Sequence, residues 1–378
     1  MIARLWPFVM GSVALGLDAY VIAGLLPAIA TSLGSTEATV GLGVAAFTGS
    51  YAITGPVLAG RAGRTSRRSL VNALAVFTLA NLATMLAPSV AVFLVARAVA
   101  GAAAGVYSPL SSAVAAGLVG GEQRGRALSL VLSGLAVGTV FGVPLGLAVA
   151  GRWGWRAAIA LVVATSAASL GGVLLRGGEL PPIPASGALQ RLRAVTRPDN
   201  LVTVLVTLLT GIASLGLYTY LTVILGHSSL ADHQTIAIWV WGLGGAIGAL
   251  GIGRLVDKGN PLRLSLMLLT GLACALAGVA LGRAPVVLLG SLFVWGLCGW
   301  ASLAPQQHVL LSANPTDGAT AVAANASANY LGSALGATLG SLLVAHSVSP
   351  QGLGLTAASV ACAAVVLQLI RTGMRPRK

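Results

Sequence analysis

The chain alternates long apolar runs with short polar ones. The runs are about 20 residues each, enough to cross a hydrocarbon layer of about 30 Å as a helix. The pattern predicts spans over 8–33, 40–60, 69–87, 89–117, 126–150 and 155–175, then over 200–225, 235–253, 263–282, 285–310, 319–345 and 351–371. The longest polar stretch, Arg176 to Asn200, holds Glu179, the Pro181-Pro182 pair, Arg191, Arg193 and Arg197, and is too short to fold as a domain. It divides the chain into a half over 1–176, a linker over 177–199 and a half over 200–378. The expected fold is an all-α integral membrane protein with twelve transmembrane helices in two six-helix halves.

Composition supports a lipid-facing surface. Only 8% of the 378 residues are charged and 56% are hydrophobic, where soluble domains carry about 25% charged residues. The 50 glycines lie largely inside the apolar runs, where glycine lets membrane helices approach closely. Cys274, Cys298 and Cys362 also lie in apolar runs, with no metal spacing and no disulfide pattern.

The net charge of +14 suggests nucleic-acid binding at first sight. The basic residues, however, sit in short loops between the runs, which is a signature of membrane topology. With the N-terminus inside, 18 of the 22 Lys and Arg fall in cytoplasmic segments, from Arg4 to Lys378. Arg152, Arg156 and Arg283 fall outside, and Arg97 lies within a span. The bias toward one side places both termini in the cytoplasm. The first run has a basic start at Arg4 and an Ala28-Ile29-Ala30 that mimics a cleavage site. From Phe8 to Leu33 it is too long for a signal-peptide core, so it is expected to remain as the first span.

The halves carry weak internal similarity. Glycines at 134, 138, 142 and 146 mark the fifth span, and glycines at 332, 336 and 340 the eleventh. An offset of 194 superposes the last three of the first set on the second set, and Arg64 on Lys258. Corresponding motifs in two halves suggest a transporter whose site lies between repeats. Glycine at every fourth position makes a smooth helix face on which another backbone can pack, and Pro144 removes a donor and bends the helix. That combination suits a gate, and it equally suits plain helix packing.

Ionisable groups within spans are the sharpest chemical signal, since a charge in hydrocarbon costs roughly 3 kcal/mol on insertion scales. Asp18 and Arg97 are the acid and the base that fall near the middle of spans. At 1.5 Å per residue Asp18 lies about 15 Å from the inside and Arg97 about 18 Å, nearly the same level. They read either as a protonation switch or as a structural pair. Tyr20, Tyr51, Tyr107, Trp295, Asn329 and Tyr330 are further polar or aromatic residues within spans, candidates for substrate contact or for packing. His227, His233, His308 and His346 are scattered, and no P-loop or nucleotide fingerprint occurs. No enzyme activity, metal or cofactor is expected.

The run Gly138-Thr-Val-Phe-Gly142-Val-Pro144-Leu-Gly146, followed by Gly154-Trp155-Arg156, resembles the fifth-span antiporter motif of the major facilitator superfamily. Asp18 to Pro27 resembles the first span of its twelve-span drug/proton antiporter branch, which includes chloramphenicol and sugar exporters, and Arg97 with Gly101 its fourth-span arginine motif. The resemblance covers nearly the whole chain. It implies the major facilitator fold, a gating role for the fifth-span glycines and Pro144, and first and fourth spans lining a central cavity. The loop after the second span departs from the family pattern, because Gly63 stands where an acidic residue is usual and Ser66 where a glycine is. Its Arg64, Arg67 and Arg68, with Asp257 and Lys258 of the second-half copy, are candidates for a conformational latch or for topology alone.

The resemblance thus implies proton-coupled efflux of drugs or small metabolites by alternating access. Its partners would be a small-molecule substrate, protons and the lipid bilayer, with no nucleic acid. The protein would act as a monomer in a bacterial cytoplasmic membrane. Export of a sugar or amino acid, or uniport, is the alternative. A membrane-embedded enzyme would need clustered His, Asp or Glu at one interface, and a sensor an appended signalling domain; neither feature is present in the sequence.

Overall fold

The computed structural model describes residues 2–58, 66–119, 123–176, 180, 198–313 and 318–374. These residues are almost wholly helical, with no strand among them. Contacts divide the chain into two compact units, Met1–Ala188 and Leu189–Lys378. The linker expected over 177–199 falls, apart from Leu180 and the start of the next helix, outside the described residues.

The first unit holds α1 (Ile2–Gly24), α2 (Leu26–Ser32), α3 (Glu37–Leu58), α4 (Ser66–Met85), α5 (Val90–Gly117), α6 (Arg124–Val137), α7 (Val143–Trp153) and α8 (Trp155–Leu175). The second holds α9 (Pro198–Thr210), α10 (Gly216–Tyr218), α11 (Leu221–Gly226), α12 (Gln234–Gly251), α13 (Gly253–Lys258), α14 (Pro261–Leu281), α15 (Pro285–Ala301), α16 (Leu303–Ala313), α17 (Gly318–Ala345) and α18 (Pro350–Met374). Several spans are therefore built from consecutive helices. Eleven stretches of the described residues are long and apolar enough to cross a membrane. The twelfth crossing is α3, 22 residues long and as apolar on average as α5. Each half supplies six crossings.

The interruptions have local causes. Leu25 separates α1 from α2, and Pro27 just beyond it cannot donate back to Ala23. Span 5 opens into a π turn over Gly138–Gly142 immediately before Pro144. A wider turn there relieves the clash of the proline ring with the carbonyl four residues earlier. Span 7 has its own π turn over Gly211–Leu215. Starts are equally readable. Pro261, Pro285 and Pro350 open α14, α15 and α18, where their missing N–H is no loss. The Asn260 side chain accepts from the backbone of Leu262 and Arg263.

Many hydroxyls within the spans are satisfied locally. Thr48, Thr84 and Thr210 each donate to the carbonyl one turn back, which removes the penalty of an unpaired hydroxyl in an apolar medium. Large apolar side chains such as Leu79, Val95, Leu175 and Leu250 stay exposed, as a surface solvated by lipid requires. In the first unit α1 packs against α8, α6, α7, α3 and α5. The Tyr107 hydroxyl and the Ser169 hydroxyl donate to the α1 carbonyls of Phe8 and Pro7, at 3.1 and 2.6 Å.

Candidate functional site

Asp18 on α1 and Arg97 on α5 meet inside the first unit. Arg97 Nη1 lies 2.5 Å from Asp18 Oδ1, and the two side chains are 0% and 1% exposed. This is the ion pair found among the described residues. Arg97 Nη2 also donates to the Asp18 backbone carbonyl at 3.4 Å. A third side chain joins them from α4: Asn81 donates from Nδ2 to Asp18 Oδ2 at 3.3 Å, and its Oδ1 accepts from Arg97 Nη1 at 3.4 Å. Asn81 is fully buried, and its Nδ2 is shared with the Phe77 carbonyl at 3.1 Å. The Arg97 guanidinium sits over the Phe47 ring of α3, 4.4 Å from its centroid, a favourable contact for a desolvated cation. Arg97 Nε has no hydrogen-bond partner.

Close helix packing assembles this cluster. A Cβ at Gly101 of α5 would fall on the Phe47 carbonyl, and one at Gly43 of α3 would meet the Phe93 ring. The two glycines let α5 lie against α3, which brings Phe47 over Arg97. The charges sit in a water-poor interior where an ion pair is tolerated only with good geometry and additional hydrogen bonds. Asn81 and the Asp18 carbonyl supply those bonds.

The glycine stripe of span 5 faces α1 of the same half. A Cβ at Gly134 would lie 2.6 Å from the Val9 carbonyl, and one at Gly138 would collide with the Val13 carbonyl. A Cβ at Gly16 of α1 would in turn collide with the Leu135 carbonyl. Gly142 and Gly146 instead look at the side chains of Leu17 and Val21, and Pro144 is buried between them. The second half repeats this arrangement. Gly332 and Gly336 of α17 approach Leu208, Gly211, Ile212 and Gly216 of span 7, and Gly340 meets the Tyr220 ring. The sequence repeat is thus a packing repeat, span 5 on span 1 and span 11 on span 7. Gly138→Ala is therefore expected to destabilise the protein by about 1–3 kcal/mol, and Gly142→Ala, with 3.3 Å to a flexible leucine, by much less. Thermal unfolding in detergent reads the difference; equal losses at both positions would contradict backbone contact at Gly138.

The other candidates are spread through both units. Tyr107 is fully buried with its hydroxyl on Phe8, far along α5 from Arg97. Trp295 is fully buried in the second unit, where Nε1 donates to Ser214 at 2.8 Å and the ring stands edge-on to Trp241. Tyr20 and Tyr51 are buried, 9% and 8% exposed. Asn329 and Tyr330 are half-buried on α17, and the Asn329 carbonyl borders Gly211. Of the loop residues, Arg67 donates to the Leu174 carbonyl at 3.1 Å and Arg68 is exposed. Arg64 and the side chains of Asp257 and Lys258 lie outside the described residues.

Sequence reasoning missed Asn81. It is one of two asparagines in the third apolar run, and only its depth beside Asp18 and Arg97 could have marked it. It also missed Ser214, which receives the Trp295 indole, and Gln306, whose Oε1 accepts from Thr207.

The sequence profile of the Major Facilitator Superfamily matches residues 8–337. A chloramphenicol resistance protein of Streptomyces lividans is 30% identical over 76% of this chain and 75% of its own length. The inner membrane transport protein YdhP of Escherichia coli is 26% identical over 97% of this chain and 95% of its own. Among solved structures, the D-xylose-proton symporter superposes with a TM-score of 0.80 at 21% identity, over 99% of this chain and 98% of that one.

Proposed function

Because the chain belongs to the Major Facilitator Superfamily, and is a multi-pass membrane transporter rather than an enzyme, we propose that it expels a small drug or metabolite in exchange for protons. The observation that carries this reading is the buried Asp18–Arg97 pair. A charged pair in an apolar span is expensive, and such residues mark ion or proton pathways. Asp18 is the group that takes and releases the proton, and Arg97 stabilises its ionised form. Substrate and proton then favour different occupied states, so each helps displace the other. Two of the relatives carry chloramphenicol resistance or efflux in their names, which makes chloramphenicol the first substrate to try.

Tyr20, Tyr51, Tyr107, Trp295, Asn329 and Tyr330 are assigned to substrate contact, the Tyr107 hydroxyl and the Trp295 indole from positions where they also bond Phe8 and Ser214. The glycine stripe and Pro144 are assigned to bending span 5 on span 1, and the basic loop residues Arg67 and Arg68 to holding one conformational state. The protein works as a monomer in a bacterial cytoplasmic membrane.

The test is flux through the purified protein in proteoliposomes with an imposed pH gradient. Chloramphenicol, sugars and amino acids are compared. Accumulation of a drug against its own gradient, abolished by a protonophore, is the expected result. Fluxes that ignore the pH gradient for every compound would point to uniport instead.

The orientation follows from the loop charges, with both termini cytoplasmic. Cysteines placed at Ser35 and Ser229 should react with an impermeant thiol reagent added outside intact cells, and one at Asn260 should be protected. Labelling at 260 and protection at 35 would invert the topology.

A further inference from the structure

We propose that Asn81 is the latch on the proton site, the residue that must release Asp18 Oδ2 before a proton can enter. This rests on the reading of Asp18 as the proton carrier. The argument starts from the two carboxylate oxygens. Oδ1 is held by Arg97 Nη1 at 2.5 Å, and Oδ2 by Asn81 Nδ2 at 3.3 Å. Both oxygens therefore face N–H donors, and all three side chains are 1% exposed or less. A proton on Oδ1 would set an O–H against a guanidinium and forfeit the strongest contact of the cluster. Oδ2 is the oxygen that can accept a proton while Oδ1 keeps Arg97.

The orientation of the Asn81 amide is fixed by its surroundings. Its nitrogen sits between two acceptors, Phe77 O at 3.1 Å and Asp18 Oδ2, and its oxygen faces Arg97 Nη1. Turned over, the amide would point its oxygen at a carbonyl and a carboxylate and its NH2 at a cation. The amide therefore complements the ionised pair and opposes the protonated one. Protonation at Oδ2 sets an O–H against the Asn81 N–H, so Asn81 has to turn or withdraw. Asn81 is borne by α4 and Asp18 by α1, so the event at the carboxylate is transmitted to a second helix.

Among the described residues of the first half, no other charged group competes for this role. Asp18 and Arg97 are the acid and the base at this depth of the first half; Arg67, Arg68, Arg124, Arg126, Arg152 and Arg156 lie at helix ends. Tyr20 on α1 and Tyr51 on α3 bring buried phenols, which carry no charge. Phe47 is the α3 side chain stacked on Arg97. The π turn of span 5 and the buried face of α8 bring hydroxyls, Thr139, Ser166 and Ser169, each bonded to a backbone carbonyl.

Asn81 acts through Asp18 and is a positioning residue. The test reads Asp18 directly and needs no substrate. The protonated-carboxyl infrared band of the full-length protein in lipid bilayers is followed from about pH 4 to about pH 10, a range spanning ordinary and strongly perturbed carboxyl groups. The Asp18→Asn protein serves as the subtraction that removes the other seven of the eight acidic groups. A hydrogen bond to a charged acceptor is worth about one pH unit or more. Asn81→Leu is therefore expected to move the midpoint of the Asp18 band upward by about one unit. Asn81→Ala keeps the test available should the leucine variant not fold. It removes the guarding N–H and adds no acid of its own, so the same subtraction applies and the midpoint again rises. A midpoint unchanged or lowered in the variant that folds overturns the latch, and a loss of thermal stability with an unmoved midpoint shows Asn81 to be structural. If the wild type has no band that disappears with Asp18→Asn anywhere in the range, the proton-carrier reading itself fails, and the latch with it.

Discussion

The Asp18→Asn protein is expected to exchange substrate down its gradient at close to the wild-type rate, and to accumulate none against it under a pH gradient. The asparagine is nearly isosteric with the aspartate and permanently neutral, so it imitates the protonated state. Its side-chain oxygen still accepts from Arg97 Nη1, which in the wild type lies 2.5 Å from Asp18 Oδ1. The cation therefore keeps an acceptor, together with the residue-18 backbone carbonyl and the Phe47 ring, and the helix packing around it need not change. What is lost is the group that alternates between charged and neutral, and with it the free-energy link between proton and substrate. Downhill counterflow and proton-driven accumulation, measured side by side in proteoliposomes, separate these two properties. Accumulation at the wild-type level in Asp18→Asn would remove the aspartate from the coupling step. No second acid lies at that depth among the described residues of the first half, so the driving force would then have to be another ion or none.

The fold was legible because membrane crossing imposes a length and a polarity that the sequence must show. Eleven crossings stand out by apolarity alone. The twelfth, α3, is an apolar run of the same length that also carries Thr39, Thr48, Ser50, Tyr51 and Thr54. Those hydroxyls are tolerated where they bond backbone within the bundle, as Thr48 does to Val44 and Thr54 to Ser50 and Ala102. The breaks at Leu25 and the π turn at Gly138–Gly142 were less legible. A proline marks each, but whether it bends, widens or interrupts a helix depends on what packs beside it.

The site was half legible. Asp18 and Arg97 announced themselves because a charge deep in an apolar run has few innocent explanations. Asn81 did not, because a lone amide in a membrane helix is ordinary, and its partners lie 63 and 16 residues away along the chain. The glycine stripes were visible as a period, but the surface that each one meets was not. A period says that some backbone comes close; it does not say which. The neighbour proves to be span 1 in one half and span 7 in the other. Tyr107 and Trp295 show the converse. Both stood as candidates for substrate contact or for packing, and their depth could not show that one hydroxyl bonds Phe8 and one indole Ser214.

The largest loss of stability is expected from removing one member of the charged pair while leaving the other, and most of that loss should vanish when both are removed. Asp18→Leu leaves a guanidinium that is 1% exposed without its anion, and a guanidinium has no neutral form to retreat to. Breaking a buried pair from one side costs about 3–5 kcal/mol. Arg97→Met leaves a carboxylate instead, which escapes part of the penalty by taking up a proton, and Asn81 Nδ2 at 3.3 Å continues to serve its oxygen. The expected order of thermal stability is therefore wild type, then Arg97→Met, then Asp18→Leu. In the double variant no charge remains to be solvated, and the methionine is close in volume to the arginine it replaces. Exchange of a buried pair for apolar side chains is often neutral or stabilising, so the double variant should recover most of the stability that Asp18→Leu loses. Unfolding of the four proteins in one detergent closes the cycle. A double variant as unstable as Asp18→Leu would show that the loss comes from packing around residue 18 and not from an orphaned charge. Transport by the same protein decides what the pair is for. A pair kept for folding alone would leave proton-driven accumulation intact once stability is restored, whereas a proton site leaves a stable protein that equilibrates its substrate and concentrates nothing.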